Sequence, residues 1–234
     1  IGDIIVLMKS VFKYAVKTYC IYNPMEGVSL PRKKTSDIRL LDKKEQLCLE
    51  EYVSKIHNST TLGITLAMTT GIRIGELCAL QWKDIDLEKR ILTVSKTVQR
   101  IQLHEADRKT KLIITEPKSE SSKRIIPIPE AVVAFLKEMR ENDEDFVVSG
   151  TSRVIEPRTM QYRFAKILKN VNLPSVHFHA LRHMFASNCI RLGFDIKALS
   201  EILGHSSVEI TLNRYVHSSF EQKTEYMNRI TICV

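Results

Sequence analysis

The sequence predicts a mainly α protein with a small three-stranded antiparallel sheet inserted among its helices. Two observations carry that expectation. Over most of the chain apolar residues recur at three- and four-residue spacing, the period of a helix with one buried face. Between about 90 and 128 the texture changes to three short β-branched runs: Ile91-Leu92-Thr93-Val94-Ser95, Leu112-Ile113-Ile114-Thr115 and Arg124-Ile125-Ile126-Pro127-Ile128. Polar stretches separate them. With 234 residues, 44% of them hydrophobic, the chain can bury the core of one ordinary domain and add a smaller piece.

Taken in order, residues 4–19 read as a helix, with Ile5, Met8, Phe12, Ala15 and Val16 at helical spacing. Pro24, Gly27 and Pro31 break it, and Pro31-Arg32-Lys33-Lys34 forms a short basic linker over 31–38. A lone helix and a linker cannot build a core. Residues 1–30 therefore read either as the last helix of a truncated N-terminal domain or as an arm of the main one. The main domain is expected over 39–234. Asp42 caps a helix reaching about Ile56, Thr60 or Thr61 starts another ending at Gly71, and a third runs from Ile74 to Leu80. After the strands, helices return at about 130–141, 157–170, 179–191, 195–203 and 207–214, with Lys137 to Asp145 as a solvated helix end and loop. Beyond about 219, Phe220 to Asn228 reads as a short amphipathic helix, followed by the apolar run Ile230-Thr231-Ile232-Cys233-Val234. That run would pack on a neighbouring protomer or on its own sheet edge.

A net charge of +8 favours anionic partners such as nucleic acid or a membrane surface. No apolar run approaches the ~20 residues that a membrane-spanning helix needs. The five cysteines (Cys20, Cys48, Cys78, Cys189, Cys233) are scattered and include no CxxC pair, so neither a zinc site nor a disulfide framework is expected. The start, Ile1-Gly2-Asp3, lacks an initiator Met and a signal-peptide pattern, and reads as the interior of a longer protein.

The candidate chemistry gathers in the last fifth. His179 and Arg182 are three residues apart and share one face near a helix start, where free N–H groups and the dipole already favour anions. A guanidinium added there makes a phosphate clamp. His183 reads as a packed, structural histidine. Asp195 caps the next helix, Gly204 sits where a helix-ending glycine belongs, and His205 is lifted out of the helix by that turn. Ser206 to Glu209 matches a capping box for a further helix, which ends near Tyr215. Taken alone, Tyr215 would be a core or interface aromatic. Upstream, however, Arg73 stands between Gly71 and Gly75 at a helix junction, with Glu76 placed to hold its guanidinium. Lys118 falls in the turn between the second and third predicted strands, with Lys111 and Lys123 in the same region.

These residues resemble one family. Gly71-Ile72-Arg73-x-x-Glu76-Leu77, Pro117-Lys118-Ser119 ahead of Arg124-Ile125-Ile126-Pro127, His179-x-Leu181-Arg182-His183, Leu203-Gly204-His205 and Tyr215 together look like the tyrosine recombinases of the lambda-integrase type. The likeness spans about 70–220, in the family's order. It implies the catalytic-domain fold of those DNA breaking-rejoining enzymes, with 1–30 as the end of a core-binding domain. It also implies that Tyr215 attacks a DNA phosphodiester to give a 3′-phosphotyrosine and a free 5′-hydroxyl. Arg73 and Arg182 would bind the non-bridging oxygens, Lys118 would protonate the leaving 5′-oxygen, and His179 and His205 would hydrogen-bond the phosphate or assist proton movement. Glu76 and His183 would support the site, and Arg32, Lys33 and Lys34 would cross the DNA backbone. No metal, ATP or other cofactor is implied, since the phosphotyrosine ester stores the broken bond. Implied partners are double-stranded DNA carrying specific sites and copies of the chain itself, assembled as a tetramer through the C-terminal tail. The implied setting is the cytoplasm, the protein being encoded by a bacterium, phage or mobile element.

Three rivals remain. A type IB topoisomerase shares the tyrosine and a similar basic set, but His179 and Leu203-Gly204-His205 favour the recombinase. A non-catalytic DNA-binding regulator on the same scaffold would not need the full set of six. A metal-dependent phosphodiesterase built on the histidines would lack carboxylate ligands.

Overall fold

A computed structural model describes residues 2–31, 39–102, 110–117, 122–215, 224 and 227–228, with backbone alone for 213–215. The chain divides into two compact units, Ile1–Ile38 and Arg39–Val234. In the first, α1 (Gly2–Tyr19) follows the predicted helical stripe, and none of its residues is buried. The basic linker residues Arg32, Lys33 and Lys34 lie outside the described residues.

The second unit is organised around α3 (Ser59–Thr70), which packs against α2 (Lys43–Lys55), α5 (Glu130–Met139), α6 (Pro157–Asn170) and α7 (His179–Arg191). A helix touched on every side must be apolar on every side, and Leu62, Ile64, Leu66 and Ala67 of α3 are all buried. Both helix starts in this region are capped by side chains. Asp42 accepts from the backbone of Lys44 and Glu45 before α2, and Asn58, rather than Thr60 or Thr61, does the same for Thr60 and Thr61 before α3. The largest fully buried side chains are Trp82, Phe164 and Phe178, the two phenylalanines meeting edge to face at 5.4 Å.

The predicted three-stranded antiparallel sheet is present, but its membership differs. It comprises β1 (Ile85–Asp86), β2 (Ile91–Val94) and β5 (Arg124–Pro127), in the order β1-β2-β5. The run around Leu112 belongs instead to a separate hairpin, in which β4 (Thr110–Thr115) pairs with β3 (Thr97–Gln102). β3 was hidden because only Val98 of its six residues is buried, so the strand lacks the two-residue apolar alternation. The hairpin is tied down by charge: Arg100 forks onto Glu156, at the start of α6, through bonds of 2.6 and 2.7 Å. Two further helices close the unit, α8 (Ile196–Leu203) and α9 (Val208–Tyr215), with α4 (Ile74–Ala79) between α3 and the first sheet in sequence. Of the predicted 220–228 helix only Thr224, Met227 and Asn228 fall among the described residues, and all three are helical. The apolar tail 230–234 lies outside them.

Candidate active site

Four of the predicted residues line one cleft. Arg73, His179, Arg182 and His205 surround about 260 Å³, together with Ser122, Gly204, Ser206 and Ile210. They come from three separate places in the sequence, and the local reason each arrives there can be traced.

Arg73 is the last of the three residues, Gly71, Ile72 and Arg73, between α3 and α4. Gly71 ends α3 in the left-handed region at φ 64°, its N–H bonded to Ala67 O. A side chain there would be strained, and its Cβ would lie 2.5 Å from Phe185. Gly75 serves the close approach the sequence suggested: a Cβ would sit 2.9 Å from the Val98 carbonyl of β3. Arg73 donates from Nη1 to Glu76 Oε1 at 2.8 Å and from Nη2 to Gly204 O at 2.8 Å. About a third of its side chain, 35%, is exposed.

His179 is the first residue of α7. The start of that helix is fixed on α6, where Phe178 N donates to Gln161 Oε1 at 2.8 Å. One turn on, Arg182 is only 2% exposed. Its Nη1 donates to Gly71 O at 2.7 Å and its Nη2 to Leu203 O at 2.6 Å, so it joins the end of α3 to the end of α8. His183 is buried and stands edge-on to His179 with ring centroids 4.8 Å apart, the packed position expected of it.

His205 emerges from the end of α8. Gly204 adopts φ 64°, and the turn closes with Gly204 N bonded to Glu201 O and His205 N to Ser200 O. The next three carbonyls, those of Ile202, Leu203 and Gly204, accept from Arg124, Arg182 and Arg73 respectively. Every carbonyl at this helix end therefore has a partner, and three guanidiniums sit at the negative end of its dipole. His205 Nδ1 lies 2.8 Å from Thr211 Oγ1, a buried residue of α9. The cap of α9 is Ser207, whose Oγ accepts from Glu209 N, not Ser206, which faces the cleft instead.

Glu76 is 4% exposed and accepts four hydrogen bonds. Oε1 takes Arg73 Nη1 and Arg124 Nη1, and Oε2 takes Arg73 N and Arg124 Nη2. Burial pushes its carboxyl pKa up, but the bonds and charge of Arg124, with those of Arg73, overcome that and hold it below the usual carboxylate range. Among the described residues no group of three His, Cys, Asp or Glu could hold a metal ion.

A sequence profile of the phage integrase family matches residues 39–222, the whole span that builds this cleft. The chain belongs to the phage integrase family. A tyrosine recombinase XerC-like protein of Caldanaerobacter subterraneus is 32% identical, the match taking in 93% of this chain and 62% of that protein. The transposase of transposon Tn916 from Enterococcus faecalis is 28% identical over 81% of this chain and 50% of its own length. The chain thus spans about half to three fifths of these relatives. Among solved structures, the Tn1549 transposon integrase in complex with a circular intermediate DNA superposes with a TM-score of 0.76 at 25% identity, covering 97% of this chain and 78% of that one.

In this phage integrase chain Lys118 lies outside the described residues, as does the side chain of Tyr215. The backbone of Tyr215 is the last residue of α9, four positions after the threonine that meets His205. The sequence reading missed Arg124 as a site residue, although its motif was in view. The signal was its phase in β5: Arg124 shares the inward side with buried Ile126 and Ile128. A charge at a core-facing position needs a buried partner, and here that partner is Glu76.

Proposed function

We propose that this chain carries out the DNA strand cleavage and rejoining of a site-specific recombinase, serving a transposon or phage. The observation that carries the reading is the cleft itself: two arginines from distant parts of the chain meet two histidines around one space of about 260 Å³. Arg73 and Arg182 are held from behind by carbonyls and a carboxylate, which fixes their forks before any substrate arrives. Such preorganised cations suit a phosphodiester whose oxygens gain charge as a fifth bond forms.

In the proposed reaction the Tyr215 hydroxyl attacks the phosphorus and loses its proton, the bond to the 5′-oxygen breaks, and Lys118 supplies the proton to that leaving oxygen. The product is a 3′-phosphotyrosine and a 5′-hydroxyl. Attack by the 5′-hydroxyl of a partner strand reverses the step on new DNA and releases the tyrosine. His205 supports this through its contact with Thr211, which ties the cleft to the helix that ends in Tyr215. His179 opens α7 beside Arg182 and faces the same phosphate. The unit 39–234 is the catalytic domain in this reading, and 1–30 the end of a core-binding domain joined by Arg32, Lys33 and Lys34 along the DNA backbone. The protein acts in the cytoplasm of its bacterial host.

Four copies would assemble on two duplexes, each offering its apolar tail 230–234 to a neighbour. Support for this comes from an apolar groove of about 420 Å³, lined by Ile126, Pro127, Phe185, Leu192, Phe194 and Ile202, that such a tail would fill.

The test is a plasmid bearing two copies of the junction sequence that flanks the coding region. Incubation with the full-length protein in EDTA should delete or invert the intervening DNA. Relaxation of a plasmid lacking those sites, with no recombinant product, would instead identify a topoisomerase, and binding without either product a regulator.

A further inference from the structure

Arg124 is 6% exposed and stands behind the cleft wall. It nevertheless touches two of the elements that shape the cleft. Its Nη1 and Nη2 fork onto the Glu76 carboxylate at 3.2 and 2.8 Å, and its Nε donates to Ile202 O at 2.6 Å. Its Nη1 also reaches Ser122 O at 3.0 Å, and Ser122 is itself a cleft residue. The strand that carries it is fixed by pairing, with Val94 of β2 opposite Arg124 and Leu92 opposite Ile126.

We infer that Arg124 is a positioning residue of the proposed DNA cleavage, acting on Arg73 through Glu76 and on His205 through the end of α8 without touching DNA. This rests on the recombinase reading of the same cleft. Three physical arguments carry it.

The first is orientation. A carboxylate offers about four acceptor directions, and Arg124 takes two of those on Glu76 while Arg73 takes the others. The carboxylate plane is therefore set by Arg124 together with the Arg73 backbone N–H, and it dictates where the Arg73 fork lies. The second is charge. One carboxylate shared by two guanidiniums leaves a net positive charge beside the cleft, whereas Glu76 paired with Arg73 alone would cancel it. The third is the α8 turn. Arg124, Arg182 and Arg73 hold three consecutive carbonyls, so losing the first frees one side of the turn that presents His205.

The test compares Arg124→Met and Arg124→Lys with Arg90→Met, an exposed arginine that pairs with the exposed Glu130 and does not line the cleft. Folding is checked by thermal unfolding. Two readouts follow, one free of DNA. In protein labelled with ¹⁵N-arginine, the Arg73 Nε–H resonance, assigned from an Arg73→Lys variant, should shift or broaden in Arg124→Met and stay in place in Arg90→Met. On a nicked suicide duplex made from the flanking junction, single-turnover adduct formation by Arg124→Met at saturating DNA should fall on the order of 10²-fold, the scale of a small misplacement, while DNA affinity changes little. Arg124→Lys, a point charge without a fork, should recover only part of that loss. An Arg124→Met protein that folds, keeps the Arg73 resonance and forms adduct at the wild-type rate would overturn the proposal. If wild-type protein forms no adduct, the recombinase reading falls, and the Arg73 resonance still decides whether Arg124 positions it.

Discussion

Arg73 and Gly204 lie 131 residues apart and are joined by one hydrogen bond, from Arg73 Nη2 to the Gly204 carbonyl at 2.8 Å. That bond links the α3–α4 junction to the turn presenting His205, so the two halves of the cleft share one geometry. A lysine at 73 keeps the charge but cannot reach Glu76 and Gly204 O at once. Arg73→Lys should fold and bind DNA, yet lose adduct formation on the order of 10²-fold at saturating DNA. Single-turnover kinetics on a suicide duplex check it.

Removing the Glu76 charge strands the Arg124 guanidinium in the interior. Glu76→Gln should lower stability by about 3–5 kcal/mol at neutral pH, the range for breaking a buried pair, measured by urea unfolding. The pH dependence has a definite sign. The folded carboxyl titrates below its unfolded value, so its contribution is full above the unfolded value and is lost as pH falls through the folded one. The gap between wild type and Glu76→Gln should therefore shrink as pH drops below ~4.

Gly71→Ala meets both backbone strain and a collision with Phe185 and Leu203. We expect a loss of about 2–4 kcal/mol, combining left-handed strain with overpacking. The damage should extend to the cleft, because Arg182 Nη1 rests on the Gly71 carbonyl. Denaturant melts measure the first effect and anion-dependent stabilisation by inorganic phosphate the second.

The cysteines divide by environment. Burial raises the Cys78 thiol to about 12 and the Cys189 thiol to about 11, whereas Cys20 and Cys48 are exposed. With iodoacetamide at pH 8, mass spectrometry should find Cys20 and Cys48 alkylated well before Cys78 and Cys189, which carry almost no thiolate at that pH. Adding urea should erase the difference.

Much of this was legible in the sequence because the chemistry is tied to helix ends. Gly71, Asp195 and Gly204 mark boundaries that follow from cap chemistry, so the placement of Arg73 and His205 could be reasoned from local rules. Long-range pairing was not legible. The β3–β4 hairpin buries too little to show a periodic pattern, and the sharing of Glu76 between Arg73 and Arg124 depends on a sheet register that no local signal sets. Ser206 and Ser207 show the same limit at single-residue scale: either could cap α9, and the turn after Gly204 selects Ser207.

Under the proposed mechanism, this chain breaks DNA through Tyr215. Full-length protein should be incubated in EDTA with a nicked suicide duplex from the flanking junction, and the adduct digested and sequenced by mass spectrometry. The expected product is a nucleotide linked through its 3′-phosphate to the peptide containing Tyr215, and none with Tyr215→Phe. An adduct on any other residue, or one that persists in Tyr215→Phe, would contradict it.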